Sequence, residues 1–350
     1  MSKPFFSVVI PSYNRAATIS RALDSCAAQT FRDFEIVIVD DDKSSDDMAG
    51  AVAPYRDRHD INLVLDHEGK AGAARNTGVR LARGRYIAFL DADDQWLPNK
   101  LELCHARLQA EPDTLFYSQN VVDRGVGKYW VKPARALGPD ESIYDYLFYH
   151  KGWIHPTSIV VDVETARRYP FTEEIAFVDD TKLAVDMWRA GVPMKMIEVP
   201  TTVYYDPYEP GRLSQASAFE PEKNPEQFAF FEWMESLRGD MSETAWLGYR
   251  AGWRSRLIAR AKPLPALKDV WAASLEGPAG LKRSVMQTVQ TFTPHVYRRL
   301  CDLAVRVKGF DSVERAVASV ARDLPTNGPD TAPAETATPA AEVVGTVARR

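Results

Sequence analysis

The sequence predicts an α/β chain: a mixed, mainly parallel sheet flanked by helices, then an α-helical appendage and a disordered tail. Three observations predict this. Apolar runs and amphipathic stretches alternate with short connections through the first 125 residues, the order expected of parallel βαβ units. Past Glu220 the periodicity becomes helical throughout. From Leu324 onward Pro, Ala, Thr, Glu and Gly dominate and aromatic residues vanish, leaving too little apolar surface to offset the entropy of ordering the chain.

Each element has its own signal. "FFSVVIP" (Phe5 to Pro11) is a continuous apolar run, as in a strand buried on both faces. "ATISRALDSCAAQ" then sets Ile19, Ala22, Leu23 and Cys26 at helical spacing. "FEIVIVDD" reads as a second strand, followed by a polar helix near Asp46 to Arg58. "INLVLDH" is a third strand, "AGAARNTGVRLARG" a helix closed by Gly84, and "RYIAFLDADD" a fourth strand. A helix from Leu97 to about Ala110 leads to a fifth strand, "LFYSQNVV". The stretch 123–152 is looser, rich in Gly, Pro and aromatics. "PTSIVVD" is a strand, "DTKLAVDMWRAG" a helix stopped by Gly191, and "PMKMIEVPTTVYY" a strand or strand pair. The expected division is therefore a domain over 1–220, in halves 1–125 and 126–220, a helical appendage over 221–323 and a tail over 324–350.

Composition excludes several classes. Of 350 residues 45% are hydrophobic and 26% charged, as in an ordinary globular protein. A net charge of −5 argues for no nucleic-acid partner, and no nucleic-acid motif is present. Cys26, Cys104 and Cys301 lie far apart without CxxC spacing, so neither a disulfide framework nor a zinc site is indicated. No leader-like segment opens the chain and no apolar run approaches the ~20 residues of a membrane span, so a cytoplasmic location is expected. Dinucleotide and P-loop motifs are absent: "PSYNRAAT" stands where GxGxxG would follow the first strand.

The chemistry gathers at strand ends. In open parallel sheets ligands sit beyond the carboxyl ends of the strands. Here those ends carry Tyr13 and Asn14, then Asp40 to Asp42, then Asp91, Asp93 and Asp94. Carboxylates so crowded raise one another's pKa unless a cation joins them, and hard oxygen ligands suit Mg²⁺ or Mn²⁺ carrying a substrate phosphate. Arg75 adds a guanidinium fork suited to a phosphate or a base. A helix N-cap would account for one such Asp, and Asp94 is the one left for it.

Three blocks, "SVVIPSYNRAATISRALDSCAAQTFRDFEIVIVDD", "AARNTGVRLARGRYIAFLDADD" and "FVDDTKLAVDMWRAG", resemble the hallmark segments of family 2 inverting glycosyltransferases, in order and spacing, over about Ser7 to Tyr205. The resemblance implies the GT-A fold and transfer of one sugar from a nucleoside diphosphate sugar to a saccharide or lipid-linked saccharide, in bacterial surface polysaccharide assembly. It makes 1–125 the nucleotide-binding half and 126–220 the acceptor half. Pro11, Tyr13 and Asn14 match the nucleoside pocket, Asp41 the base contact, and Arg75 a base or diphosphate contact. Asp91 and Asp93 match the DxD motif, Asp91 nearer the ribose or in the metal shell and Asp93 on the Mn²⁺ or Mg²⁺. Asp180 matches the general base, with Asp179 the alternative because the usual Glu-Asp pair is Asp-Asp here. The donor-closing loop offers Arg212 and no His. The QxxRW pattern of processive synthases is absent, so Trp188 reads as a packing residue.

Two regions stay open. Trp153 and His155 fall where acceptor residues belong, but a lone His is more often a local hydrogen-bonding residue. Between Met241 and Phe310 twelve Lys/Arg face four Asp/Glu, and the part over 245–270 interleaves Trp246, Trp253, Leu257 and Ile258 with Arg250, Arg254, Arg256 and Arg260. That pattern suits peripheral contact with an anionic membrane and suits equally a helix with a core face and a solvated basic face. A haloacid dehalogenase-type phosphohydrolase also puts DxD after an apolar strand, though Gln95 stands where it wants Thr or Val, and a non-catalytic nucleotide-sugar or membrane-binding protein of the same fold is the further alternative.

Overall fold

The structure, a computed structural model, describes residues 3–175, 178–208 and 227–323. The expected tail over 324–350 and the loop residue Arg212 lie outside the described residues. The chain begins β1 (Phe6–Ser12), α1 (Ala16–Ala27), β2 (Phe34–Asp41), α2 (Met48–Val52), β3 (Ile61–His67), α3 (Ala71–Leu81), β4 (Tyr86–Phe89). It continues through β5 (Gln95–Trp96), α4 (Lys100–Ala110), β6 (Leu115–Asp123), β7 (Tyr129–Lys132), β8 (Val160–Asp162), α5 (Val163–Arg168), α6 (Asp179–Arg189) and β9 (Met194–Tyr205). Helices α7 (Gln227–Ser236), α8 (Glu243–Tyr249), α9 (Ser255–Ile258), α10 (Pro263–Leu275), α11 (Leu281–Phe292), α12 (Pro294–Lys308) and α13 (Val313–Asp323) complete it.

Among the described residues nine strands form one sheet in the order β3-β2-β1-β4-β8-β6-β9-β5, with β7 beside β6. β1 pairs parallel with β2 and β4, and β2 with β3, so their carboxyl ends share one edge. β8 runs antiparallel between β4 and β6, reversing the sheet at its middle, and β9 returns parallel to β6. The apolar runs of β1 and β4 are fully buried, and β2 is buried from Glu35 to Asp40, as helices on both faces require. α3 lies especially close to the sheet. A Cβ on Gly78 would stand 2.3 Å from Val9 Cγ1, and one on Gly72 would stand 2.4 Å from the carbonyl oxygen of Thr172.

Several boundaries differ from expectation for local reasons. The helix expected over 46–58 is the short α2, capped by the Asp47 side chain on the Gly50 N–H and followed by a 3-10 turn through Pro54. α4 starts at Lys100, because Gln95 and Trp96 pair with Val203 and Thr202 of β9 instead. Gly84 does not close α3, which ends at Leu81; it sits where a Cβ would be 2.6 Å from the amide nitrogen of Ser7. The looser stretch contains β7, paired with β6.

The helices expected as an appendage pack inward. Phe230, Met234, Leu237, Met241, Ala245, Tyr249 and Leu257 share a hydrophobic cluster with Val9 and Phe89 of the sheet. Trp246, Trp253 and Ile258 pack against the same cluster, and Asp269 binds Arg250 Nε at 2.9 Å and pairs with Arg254. The apolar residues interleaved with arginines over 245–270 thus form a core face, and two of those arginines are committed to a buried carboxylate. α13 returns to the sheet, where Ala316 meets Leu97, Val121 and Val203. Trp188 packs on the main cluster, edge-on to Tyr144 at 5.8 Å.

Candidate active site

The carboxyl ends of β1 and β2 are knitted by side chain to main chain contacts. Asn14 takes a left-handed backbone conformation, φ 50°, which Asn adopts far more readily than most residues. Its Oδ1 accepts from the Ser45 N–H at 2.7 Å, and its own N–H donates to Ser44 Oγ at 3.1 Å. Asp41 Oδ1 accepts from the Lys43 N–H at 2.9 Å, turning the chain away after β2. Buried Asp40 accepts from Ser44 Oγ at 3.1 Å, and burial pushes its carboxyl above the ordinary range. Pro11 is buried within β1, while Tyr13 stands 56% exposed at the mouth of the edge.

The acidic loop after β4 is held by cations and by the chain across the sheet. Asp93 lies 3.4 Å from Arg15 Nη2, and its carbonyl accepts from Arg21 Nη1 at 3.0 Å. Arg21 in turn lies over the Tyr205 ring, 3.8 Å from its centroid. Asp94 is not a helix cap: it is fully buried, accepting from Thr157 Oγ1 at 2.7 Å and from the Tyr205 N–H at 3.1 Å. β5 intervenes before α4, whose N-cap residue is Asn99. Burial, with Asp93 and Asp91 adding like charge, pushes the Asp94 carboxyl well above its usual range, while its two hydrogen bonds tie the strand ends together.

Arg75 joins the two acidic parts of the chain. It rises from α3, 5% exposed, and donates from Nη2 to Asp91 Oδ1 at 2.7 Å and from Nη1 to Asp179 Oδ2 at 2.6 Å. Burial works against its charge, yet Asp91 and Asp179 prevail and hold the guanidinium above its ordinary pKa. The fork expected at a base or phosphate spans two carboxylates. The neighbouring Asn76 donates to the Phe171 carbonyl at 2.9 Å and accepts from the Phe171 N–H at 2.9 Å, fixing the chain that leads to α6.

Asp179 and Asp180 open α6 and differ sharply. Asp179 is bound to Arg75 and also accepts the Asp180 N–H at 3.0 Å. Asp180 accepts the Thr181 N–H and makes no ion pair among the described residues. Burial, then the adjacent Asp179 charge, raises its pKa to about 7.

His155 sits within the acidic loop's reach, 8% exposed, with Nε2 3.8 Å from Asp91 Oδ2 and Nδ1 4.0 Å from Asp94 Oδ2. Its ring contacts Trp153 at 4.8 Å and Tyr204 at 4.6 Å. Ligand-type atoms of Asp91, Asp94 and His155 lie within 4.8 Å of one another, a spacing one cation spans, although both Asp94 oxygens are already occupied. Carboxylate oxygen with imidazole nitrogen suits Mn²⁺ and accommodates Mg²⁺. Asp93 points to Arg15 and is not in that grouping. Sequence reading missed Arg15, Arg21, Thr157 and Tyr205, which reach the loop from distant segments; only the adjacency of Arg15 to Asn14 and of Thr157 to His155 hinted at two of them.

Comparison with known proteins adds a family context. Residues 7–180 match the family described as "Glycosyl transferase family 2". The chain is 38% identical over 210 residues to the amylovoran biosynthesis glycosyltransferase AmsB of Erwinia amylovora, covering 57% of this chain and 69% of that protein. It is 42% identical over 97 residues to WfgD of Escherichia coli, a UDP-Glc:alpha-D-GlcNAc-diphosphoundecaprenol beta-1,3-glucosyltransferase, covering 28% of this chain and 38% of WfgD. Among solved structures, the mannosyltransferase PcManGT from Pyrobaculum calidifontis in complex with GDP-Man and Mn²⁺ aligns with TM-score 0.50 at 21% identity, over 88% of this chain and 87% of that one.

Proposed function

The chain belongs to glycosyl transferase family 2 and has the GT-A fold, and from that premise we propose that it moves a single sugar, with inversion, from a nucleoside diphosphate sugar to a saccharide or lipid-linked saccharide in surface polysaccharide assembly. The observation that carries the reading is the unequal use of the two acidic residues at the start of α6. Asp179 is consumed by Arg75, whereas Asp180 keeps a carboxylate oriented by one main-chain N–H and poised near neutral pH. A general base works best when its pKa lies near the operating pH. Asp180 is the base in this reading, and Asp179 holds Arg75 in place.

The donor lies along the carboxyl edge of β1, β2 and β4, where Pro11, Tyr13, Asn14 and Asp41 line the nucleoside pocket. Arg75 fixes Asp91 for the ribose and metal shell. Asp93 and Asp91, with His155 nearby, would hold Mn²⁺ or Mg²⁺, which when bound offsets the charge developing on the diphosphate leaving group. Mn²⁺ in the PcManGT complex and the polyprenyl diphosphate named for WfgD support the metal and the lipid-linked acceptor. Trp153, beside His155 and Tyr204, offers a flat face for the acceptor sugar. A deprotonated Asp180 takes the acceptor hydroxyl proton as the sugar bond forms on the face opposite the leaving group. The test is a panel of nucleotide sugars measured by thermal shift with and without Mn²⁺, since a ligand bound only by the native state raises its stability. A donor-specific, Mn²⁺-dependent shift is expected; no shift with any donor defeats the reading.

A further inference from the structure

The exposed apolar surface of this chain does not lie on the segment with the mixed Trp and Arg pattern. Among the described residues the large exposed apolar side chains concentrate on α10, α11 and α12. On α12 they form one stripe: Val296, Leu300, Leu303 and Val307, 49%, 41%, 57% and 68% exposed, recur at four- and three-residue steps. Such spacing places them on a single helix face. α11, which packs against α12, repeats the arrangement with exposed Leu281, Val285 and Phe292. An amphipathic helix normally turns this face to the core. Here the opposite face is the one attached: Val305 is buried, Asp302 pairs with Arg124 at 2.7 Å, and Arg298 donates to the Asp206 carbonyl at 2.6 Å.

Charge identifies what covers the stripe. Between Lys262 and Lys308 there are eight Lys/Arg and three Asp/Glu, and two of the three acids, Asp269 and Asp302, are already paired with arginines. Exposed Arg299 and Arg306 flank the α12 stripe, and exposed Lys282 lies beside Leu281. We propose that α12, with α11 beside it, docks on the surface of an anionic lipid bilayer, its apolar stripe in the acyl boundary and its basic flanks on lipid headgroups. No helix among the described residues is long and apolar enough to cross a membrane. A partly inserted amphipathic face is the mode that fits.

The attachment gives docking a purpose, and in this it rests on the lipid-linked acceptor proposed above. Asp206, gripped by Arg298 and Arg124, follows Tyr205, whose N–H binds Asp94 in the acidic loop. The attached face of α12 thus reaches the acidic loop through Arg298, the adjacent residues Asp206 and Tyr205, and Asp94.

The experiment is co-sedimentation of the full chain with vesicles of phosphatidylglycerol and phosphatidylcholine, without donor or acceptor, against vesicles of phosphatidylcholine alone. Binding to the anionic vesicles is expected, weakening with salt. The pair Leu303→Glu and Val307→Glu should weaken it roughly a hundredfold by removing buried apolar area. The pair Arg299→Gln and Arg306→Gln should weaken it roughly thirtyfold, about fivefold for each charge. All four residues are exposed, so circular dichroism and transfer to a water-soluble acceptor should be unchanged. Equal binding by the parent and the Glu pair overturns the proposal. So does a concentration-dependent dimer that the Glu pair abolishes, which would assign the face to a second copy. Vesicle binding that persists while transfer fails would instead count against the transferase reading alone.

Discussion

The acidic loop after β4 and the acidic pair opening α6 look alike in sequence, and the structure treats them oppositely. In the loop each Asp has a partner that consumes or buries its charge: Arg75 for Asp91, Arg15 for Asp93, and Thr157 with the Tyr205 N–H for Asp94. At α6 only Asp179 is so engaged, and Asp180 is left in a desolvated place with a like charge beside it. Adjacent carboxylates are thus not interchangeable. A carboxylate in an ion pair has its charge held by its partner, whereas one crowded by a like charge and left without an ion pair holds its proton to higher pH.

The largest effect that would break this comparison is at Asp180. Asp180→Asn should leave donor binding intact by calorimetry and lower kcat about 10²- to 10⁴-fold, the range of a lost general base. Asp179→Asn should cost much less in kcat, and the reverse order would exchange their roles. Arg75→Ala removes the ion pair of buried Asp179, and leaving a buried charge unpaired costs about 3–5 kcal/mol, read as a lowered urea midpoint. If Arg75→Ala unfolds with the parent, the bridge is not what holds the two parts together.

The fold and the site were legible to different degrees, for the same reason. Parallel strands buried on both faces write continuous apolar runs, so β1, β2 and β4 were readable from "FSVVIP", "FEIVIV" and "YIAF". β5 was not, since two residues that pair with Val203 and Thr202 carry no local periodicity. Likewise Asp91 and Asp93 announce themselves, while the burial of Asp94 depends on Thr157 and Tyr205, 63 and 111 positions away.

Smaller effects sharpen the contrast. The pH dependence of kcat/KM should show an acidic limb near pH 7, because Asp180 must lose its proton to act and burial has raised its pKa to that value. For stability the sign is opposite: the raised pKa means the native state holds this proton more tightly than the unfolded chain does. Its contribution is then largest below the unfolded value and declines as pH rises toward about 7. The Asp180→Asn variant should lose the limb. The smallest effect is expected for Asp94→Asn, a neutral isostere that keeps its acceptor oxygen for the Tyr205 N–H. It should shift the thermal midpoint by a few degrees at most, about 1 kcal/mol, and leave Mn²⁺ affinity unchanged. A large loss of Mn²⁺ affinity would mean that Asp94 is ionised and ligating.

The sequence by itself determined the parallel strands β1 to β4, that their carboxyl ends would collect acidic residues, and, through its resemblance to a known family, that the chain is a glycosyltransferase. These follow from local periodicity and from short motifs whose residues are neighbours in the chain. Only the tertiary structure decided which carboxylate of the α6 pair is ion-paired and which face of the C-terminal helices is covered. Both depend on desolvation and ion pairing across segments distant in sequence. Arg75 and Asp179 are 104 positions apart, and Arg124 and Asp302 are 178 apart. Trp246 and Trp253 face inward and Leu303 and Val307 outward for the same reason, since burial is a property of what packs opposite and not of the residue alone.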